Sequence, residues 1–193
     1  MSWLEGWGAV TGLLCVWLLA RQNIWTWPIG LANNILFMVL FWRARLYADA
    51  TLQIVFAVLG GYGWYQWLHA PVPGAELPVR RTSRTEWVAL SAATMLGQAA
   101  VYWGLSRHTD SPVPFWDSAV LALSLAATYG QARKLLESWV LWIVVDVISV
   151  PLYIGRGLYL TSGLYFLFLC LCVSGYFSWR ADLPGRRPLP APA

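Results

Sequence analysis

Ser138-Trp-Val-Leu-Trp142-Ile-Val-Val-Asp146-Val-Ile-Ser149-Val-Pro-Leu-Tyr-Ile-Gly155 is long enough to cross a bilayer and carries one charged side chain, Asp146. A spanning helix needs roughly 20 mostly apolar residues, so this run reads as one. Working outward, comparable runs fall at 3–20, 24–42, 47–69, 85–105, 116–132 and 158–179. The expected fold is therefore an all-α integral membrane protein of seven transmembrane helices. Composition agrees: the 193 residues are 59% hydrophobic and 11% charged, which leaves no room for a large soluble domain beside the helices. The 14 Trp and 9 Tyr suit headgroup interfaces or stacking on a ligand.

The two halves of the chain resemble each other. Trp27 and Trp139 are 112 residues apart, and the same ungapped spacing pairs Ala20-Arg21 with Ala132-Arg133, Leu46-Tyr47 with Leu158-Tyr159, Phe56 with Phe168, Gly63 with Gly175 and Trp67 with Trp179. It also pairs Glu5 with Asp117. Leu identities are cheap in apolar helices, but Trp, Gly, Arg and Tyr at one fixed spacing are not. The expected plan is 3+1+3, two parallel triple-helix repeats joined by one helix, with a solute site near the midplane where they meet. The segments are 1–69 for the first repeat, 70–112 for the polar linker and linking helix, 113–180 for the second repeat and 181–193 for a disordered, Pro-rich tail.

Seven spans put Arg21, Arg80, Arg81, Arg84, Arg133, Lys134, Arg180, Arg186 and Arg187 on one side and Arg43, Arg45, Arg107 and Arg156 on the other. The richer side is expected to be cytoplasmic, with the N-terminus outside and the C-terminus inside. Basic residues spread between apolar runs are topology signals, and they exclude a nucleic-acid partner as the explanation of the +4 net charge. The start of the chain lacks the basic region and cleavage site of a signal peptide, so the first apolar run is expected to remain in the mature protein.

Asp146 is the one acidic residue well inside a span. A carboxylate at the bilayer centre costs at least roughly 2.5–3.5 kcal/mol, so it is expected to face a polar cavity or partner. A hydrogen-bonded packing role is the competing account. At the 112-residue spacing its equivalent is Asn34, beside Asn33. Trp139 and Trp142 precede Asp146 by seven and four residues, which puts all three on one helix face. Two indoles and a carboxylate suit a flat cation. An interfacial belt is the alternative for the tryptophans, favoured for Trp139 alone. Gln53 and Tyr165 occupy equivalent positions and are suited to hydrogen-bonding sugar hydroxyls. Cys15, Cys170 and Cys172 lie inside apolar runs without metal spacing and read as packing residues. His69 and His108 lack a metalloprotease pattern, and no nucleophile elbow or Walker loop is present, so no enzyme and no metal site is expected. Lys134, the sole lysine, lies between helices and excludes a retinal Schiff base inside the last helix.

Trp3-Leu-Glu5, Gly12-Leu-Leu-Cys15, Leu46-Tyr47, Leu52-Gln53, Tyr62-Gly-Trp-Tyr65, Pro114-Phe-Trp-Asp-Ser118, Ser138-Trp-Val-Leu-Trp142 and Val147-Ile-Ser149 resemble the PnuC family of nicotinamide riboside and vitamin transporters. The resemblance spans about Trp3 to Trp179. It implies a SWEET-like architecture in the bacterial inner membrane and facilitated diffusion of an unphosphorylated vitamin trapped by intracellular phosphorylation, without a cofactor. It allows a homo-oligomer, a trimer as in similar transporters; the Gly60-Gly61-x-Gly63 cluster would let helices approach closely. The family's second-helix asparagine falls at Asn33. A sixth-helix asparagine of some members is Asp146 here, which opens the choice of substrate to thiamine and riboflavin. A carboxylate favours the cations nicotinamide riboside and thiamine over neutral riboflavin. The expected solute site comprises Asn33, Asn34, Gln53, Trp139, Trp142, Asp146 and Tyr165, with Pro28 and Pro151 as candidate hinges. Proton coupling through Asp146 and a receptor or scaffold without flux are the competing accounts.

Overall fold

The computed structural model describes residues 3–43, 45, 47–69, 76–109 and 112–184. Seven helices cover them: α1 (Trp3–Ala20), α2 (Thr26–Arg43), α3 (Tyr47–Leu68), α4 (Arg84–His108), α5 (Pro114–Ala132), α6 (Ser138–Gly155) and α7 (Tyr159–Ala181). No strand occurs among the described residues, only an isolated parallel bridge between Arg80 and Leu135. By length and composition, α4, α6 and α7 are clearly apolar enough to cross a membrane. Leu46, residues 70–75 and 110–111 of the linker segment and residues 185–193 of the expected tail lie outside the described residues.

Helix boundaries follow local chemistry. Ser83 caps α4: its hydroxyl accepts from the Glu86 amide while the Glu86 carboxylate accepts from the Ser83 amide, satisfying two orphan donors of the first turn. Ser83→Ala is expected to lower stability by about 1 kcal/mol without changing solute affinity, measured as apparent Tm and binding in detergent. Pro114 opens α5, where its missing N–H costs nothing. Pro28 likewise falls in the first turn of α2, whereas Pro151 interrupts α6 internally.

Six helices close into a ring. α1 packs on α2 and α7, α2 on α3, α3 on α5, α5 on α6, and α6 on α7; α4 touches α5 alone and buries none of its residues. Glycines set the close approaches within this ring, Gly8 against Phe37 and Gly130 against Ser138 as well as the two beside tryptophans. A Cβ on Gly63 would run into the Trp27 ring, and one on Gly175 would stand 2.6 Å from the Trp139 ring. Gly60 faces Leu31. Gly60 and Gly63 thus serve packing inside the chain, whereas Gly61 has no neighbour within 4 Å.

The tightest core is a layer of four indoles, Trp27, Trp67, Trp139 and Trp179, backed by Leu19, Val79, Leu136 and Leu183. Trp27 meets Trp67 edge-on at 5.5 Å, Trp139 meets Trp179 edge-on at 5.4 Å, and Trp67 lies 6.2 Å from Trp179. The layer sits where α1, α3, α5 and α7 end. Two turns of the same form emerge there. Gln22 (φ 54°) donates to the Leu19 carbonyl and Asn23 to that of Leu18; Lys134 (φ 49°) donates to Gln131 and Leu135 to Gly130. Residues 76–83 cross this end, tied by Arg80 N–H to the Lys134 carbonyl (3.0 Å), Leu136 N–H to the Arg80 carbonyl (2.9 Å) and Thr82 to the Glu137 carboxylate. Residues 181–184, counted with the tail in the sequence, lie against the bundle, with Leu183 buried in the core.

Candidate solute site

Just beyond the indole layer, a cavity of about 270 Å³ opens between α1, α5, α6 and α7. It lies near the lower end of the roughly 300–1,000 Å³ range of small-molecule sites. α1 lines it with Gly12, Val16 and Leu19, α5 with Gln131, α6 with Trp139, Trp142 and Asp146, and α7 with Tyr165, Phe168 and Cys172. The sets on α1, α6 and α7 repeat at helical spacing, so each of those helices presents one continuous face, while α5 contributes Gln131 alone.

Asp146 is 2% exposed. It faces the Cys172 thiol, its Oδ2 has no hydrogen-bond partner, and no ion pair reaches it among the described residues. The indole nitrogens of Trp139 and Trp142 are also buried without a partner. Buried polar groups are ordinarily satisfied; here three without a partner lie on one helix face. Two N–H donors and one carboxylate ask for acceptors on one part of a ligand and a donor or positive charge on another. Tyr165 adds its ring, tilted 5.0 Å from Tyr153 and edge-on to Phe168 at 5.9 Å.

Four of the seven residues singled out in the sequence, Trp139, Trp142, Asp146 and Tyr165, therefore line one cavity. The other three do not. Asn33 donates to Thr11 Oγ1 (2.6 Å) and the Gly8 carbonyl (3.3 Å), tying α2 to α1, while Asn34 and Gln53 are half-buried on α2 and α3. Trp139 is fully buried, which corrects the interfacial-belt account favoured for it: its ring fills the notch at Gly175 instead of reaching the headgroups. Gln131 was missed, because a Gln two residues before Arg133-Lys134 reads as part of a polar turn. Cys172, by sequence a packing residue, lines the cavity as well; its position seven residues before Trp179 puts both on one face of α7, a usable signal.

A bundle of apolar helices around a small aromatic-walled cavity with a buried carboxylate is the architecture of a multi-pass membrane carrier. The chain belongs to the nicotinamide mononucleotide transporter family, whose model matches residues 2–181. Among curated relatives, the nicotinamide riboside transporter PnuC of Escherichia coli is 30% identical, over 93% of this chain and 85% of its own length. The riboflavin/roseoflavin transporter RibM of Streptomyces davaonensis is 29% identical, over 92% of this chain and 84% of its own. The crystal structure of a vitamin B3 transporter PnuC superposes with a TM-score of 0.74 at 25% identity, covering 96% of this chain and 84% of that one. The resemblance read in the sequence is borne out, and the protein is a membrane transporter, not an enzyme.

Proposed function

We propose that this protein carries nicotinamide riboside across the bacterial inner membrane by facilitated diffusion, with intracellular phosphorylation trapping the solute. The observation that carries the substrate assignment is the Asp146 carboxylate, with its Oδ2 unpartnered, beside the Trp139 and Trp142 indoles in one cavity. A pyridinium ring gains from both stacking and charge, whereas a neutral isoalloxazine gains little from the carboxylate. Similarity to PnuC of Escherichia coli supports this choice. Riboflavin transport is the second reading, favoured by the similarity to RibM. Thiamine, the other cation of the group, is a further arm of the test.

The site comprises Trp139, Trp142, Asp146 and Tyr165 at the cavity, with Asn33, Asn34 and Gln53 on the opposite half joining as the bundle rearranges. The chain is arranged as 3+1+3, residues 1–69 and 113–180 being parallel repeats and 70–112 the linker and linking helix. Support comes from contacts that recur at the 112-residue spacing: Trp27 against Gly63 and Trp139 against Gly175, Trp27 on Trp67 and Trp139 on Trp179, and the turns at Gln22 and Lys134. The Trp67 indole donates to the Gln131 carbonyl and the Trp179 indole to Leu19, again equivalent partners. All seven helices span the membrane, with the N-terminus outside and the basic Lys134 end cytoplasmic.

Purified protein is expected to bind nicotinamide riboside by calorimetry, more tightly than riboflavin or thiamine. In vesicles free of kinase, uptake is expected to equilibrate without concentrating and to ignore a protonophore; collapse with the proton gradient would instead assign Asp146 to proton coupling. Trp142→Ala is expected to weaken binding by about tenfold, because its half-buried indole contributes stacking at the cavity.

A further inference from the structure

We propose that Trp67 and Trp179 form the gate of this carrier at the Lys134 end, and that Lys134 latches it. The inference rests on the transport reading and assigns residues that do not contact the solute.

The cavity runs along α7 past Tyr165, Phe168 and Cys172 and stops at the indole layer that contains Trp179. The four indoles of that layer are not equivalent. Trp27 and Trp139 pack into glycine notches of their own halves, at Gly63 and Gly175, and their indole nitrogens have no partner. Trp67 and Trp179 instead cross between halves. Trp67 of α3 donates to the Gln131 carbonyl of α5 at 3.2 Å, and Trp179 of α7 donates to the Leu19 carbonyl of α1 at 3.1 Å. The acceptors, Leu19 and Gln131, also line the cavity. The bonds that close this end are thus anchored on the cavity wall, and a solute pressing on that wall acts directly on them.

Lys134 completes the closure. It is 2% exposed, its ammonium stands 4.4 Å over the Trp67 ring, and it donates to Gln22 Oε1 at 2.9 Å. Gln22 in turn donates to Asp182 Oδ2 at 2.7 Å. One polar chain therefore links the α5–α6 turn, the α1–α2 turn and the end of α7. Opening this end means breaking two indole–carbonyl bonds and the Lys134–Gln22–Asp182 chain, and withdrawing the ammonium from the Trp67 ring. These are few, discrete contacts of the kind that switch between two arrangements. The intra-half tryptophans move as rigid parts of their own units.

Cys172 serves as the reporter, since it lines the cavity behind the proposed gate. With Cys15→Ser and Cys170→Ser it is the sole thiol of the chain. A cationic, membrane-impermeant methanethiosulfonate is applied to inside-out and right-side-out vesicles. Trp67→Phe and Trp179→Phe keep a ring but lose the indole donor. Each is expected to raise the rate of Cys172 modification about fivefold or more from one face only, with nicotinamide riboside affinity unchanged within about threefold. Lys134→Met, which alters no cavity-lining residue, is expected to act in the same direction and carries the test if a Phe variant fails to fold. An unchanged rate in a variant that still binds solute, or an equal rise from both faces, overturns the gate. Uptake by the unsubstituted protein is measured in the same vesicles; its absence would count against the transport reading, while the labelling rates still decide the gate.

Discussion

Asp146→Asn is expected to weaken binding of nicotinamide riboside by roughly 10- to 100-fold, the scale of a lost charge-assisted contact in a desolvated site. The side chain keeps its shape and an acceptor oxygen, so folding should be intact. The Cys172 thiol still has an oxygen to face, and no ion pair is broken. Neutral riboflavin should be nearly indifferent to the change. Calorimetry on the purified variant with both ligands separates charge recognition from general damage to the cavity. Equal affinity of wild type and variant for every cationic ligand would remove the charge argument and leave the indoles alone to explain selectivity.

The second large effect is one of stability. Gly175→Leu places side-chain atoms where the Trp139 ring already stands, with the first of them 2.6 Å from it. Trp139 cannot retreat, because it is fully buried and held edge-on against Trp179. Overpacking of this kind costs about 1–3 kcal/mol or more, and the apparent Tm in detergent is expected to fall by roughly 5 °C or more. Since Trp139 lines the cavity, solute affinity should fall with it. Combining Gly175→Ala with Trp139→Phe, a smaller ring, should recover part of the stability lost by Gly175→Ala alone; additive losses would mean that the two residues do not oppose each other.

The seven helices were legible as apolar runs, and a single Asp inside one stands out against them. Boundaries shifted where hydropathy is blind to capping. α5 begins at Pro114 rather than 116 because proline at the first turn starts a helix, and α2 begins at Thr26 rather than 24 because the Asn23 side chain accepts from Trp25 and holds the turn open. Trp139 deceived for a different reason. A tryptophan near the end of an apolar run looks the same whether it faces headgroups or core; the glycine that makes room for it is on α7, far away in sequence. Lys134 was legible as a loop residue but not as a buried one, because its partner Gln22 lies 112 positions away. Gln131 was hidden by its charged neighbours. Long-range complementarity separates these residues from Asp146, whose burial cost is written into its own helix.

Gln22 and Lys134 occupy the same place in the two halves and touch each other. On the duplicated plan proposed here, a position that meets its own counterpart lies on the pseudo-twofold axis. Had the halves been two copies of one shorter chain, that position would have faced itself. Two lysines there would have set ammonium against ammonium in a buried layer, and two glutamines would have supplied no cation for the indole. Joining the copies in a single chain lifts that restriction, because each half can then mutate alone. The Lys134–Gln22 contact is thus an asymmetry available only after fusion, and it falls at the one spot where a symmetric ancestor would have been least free to acquire it.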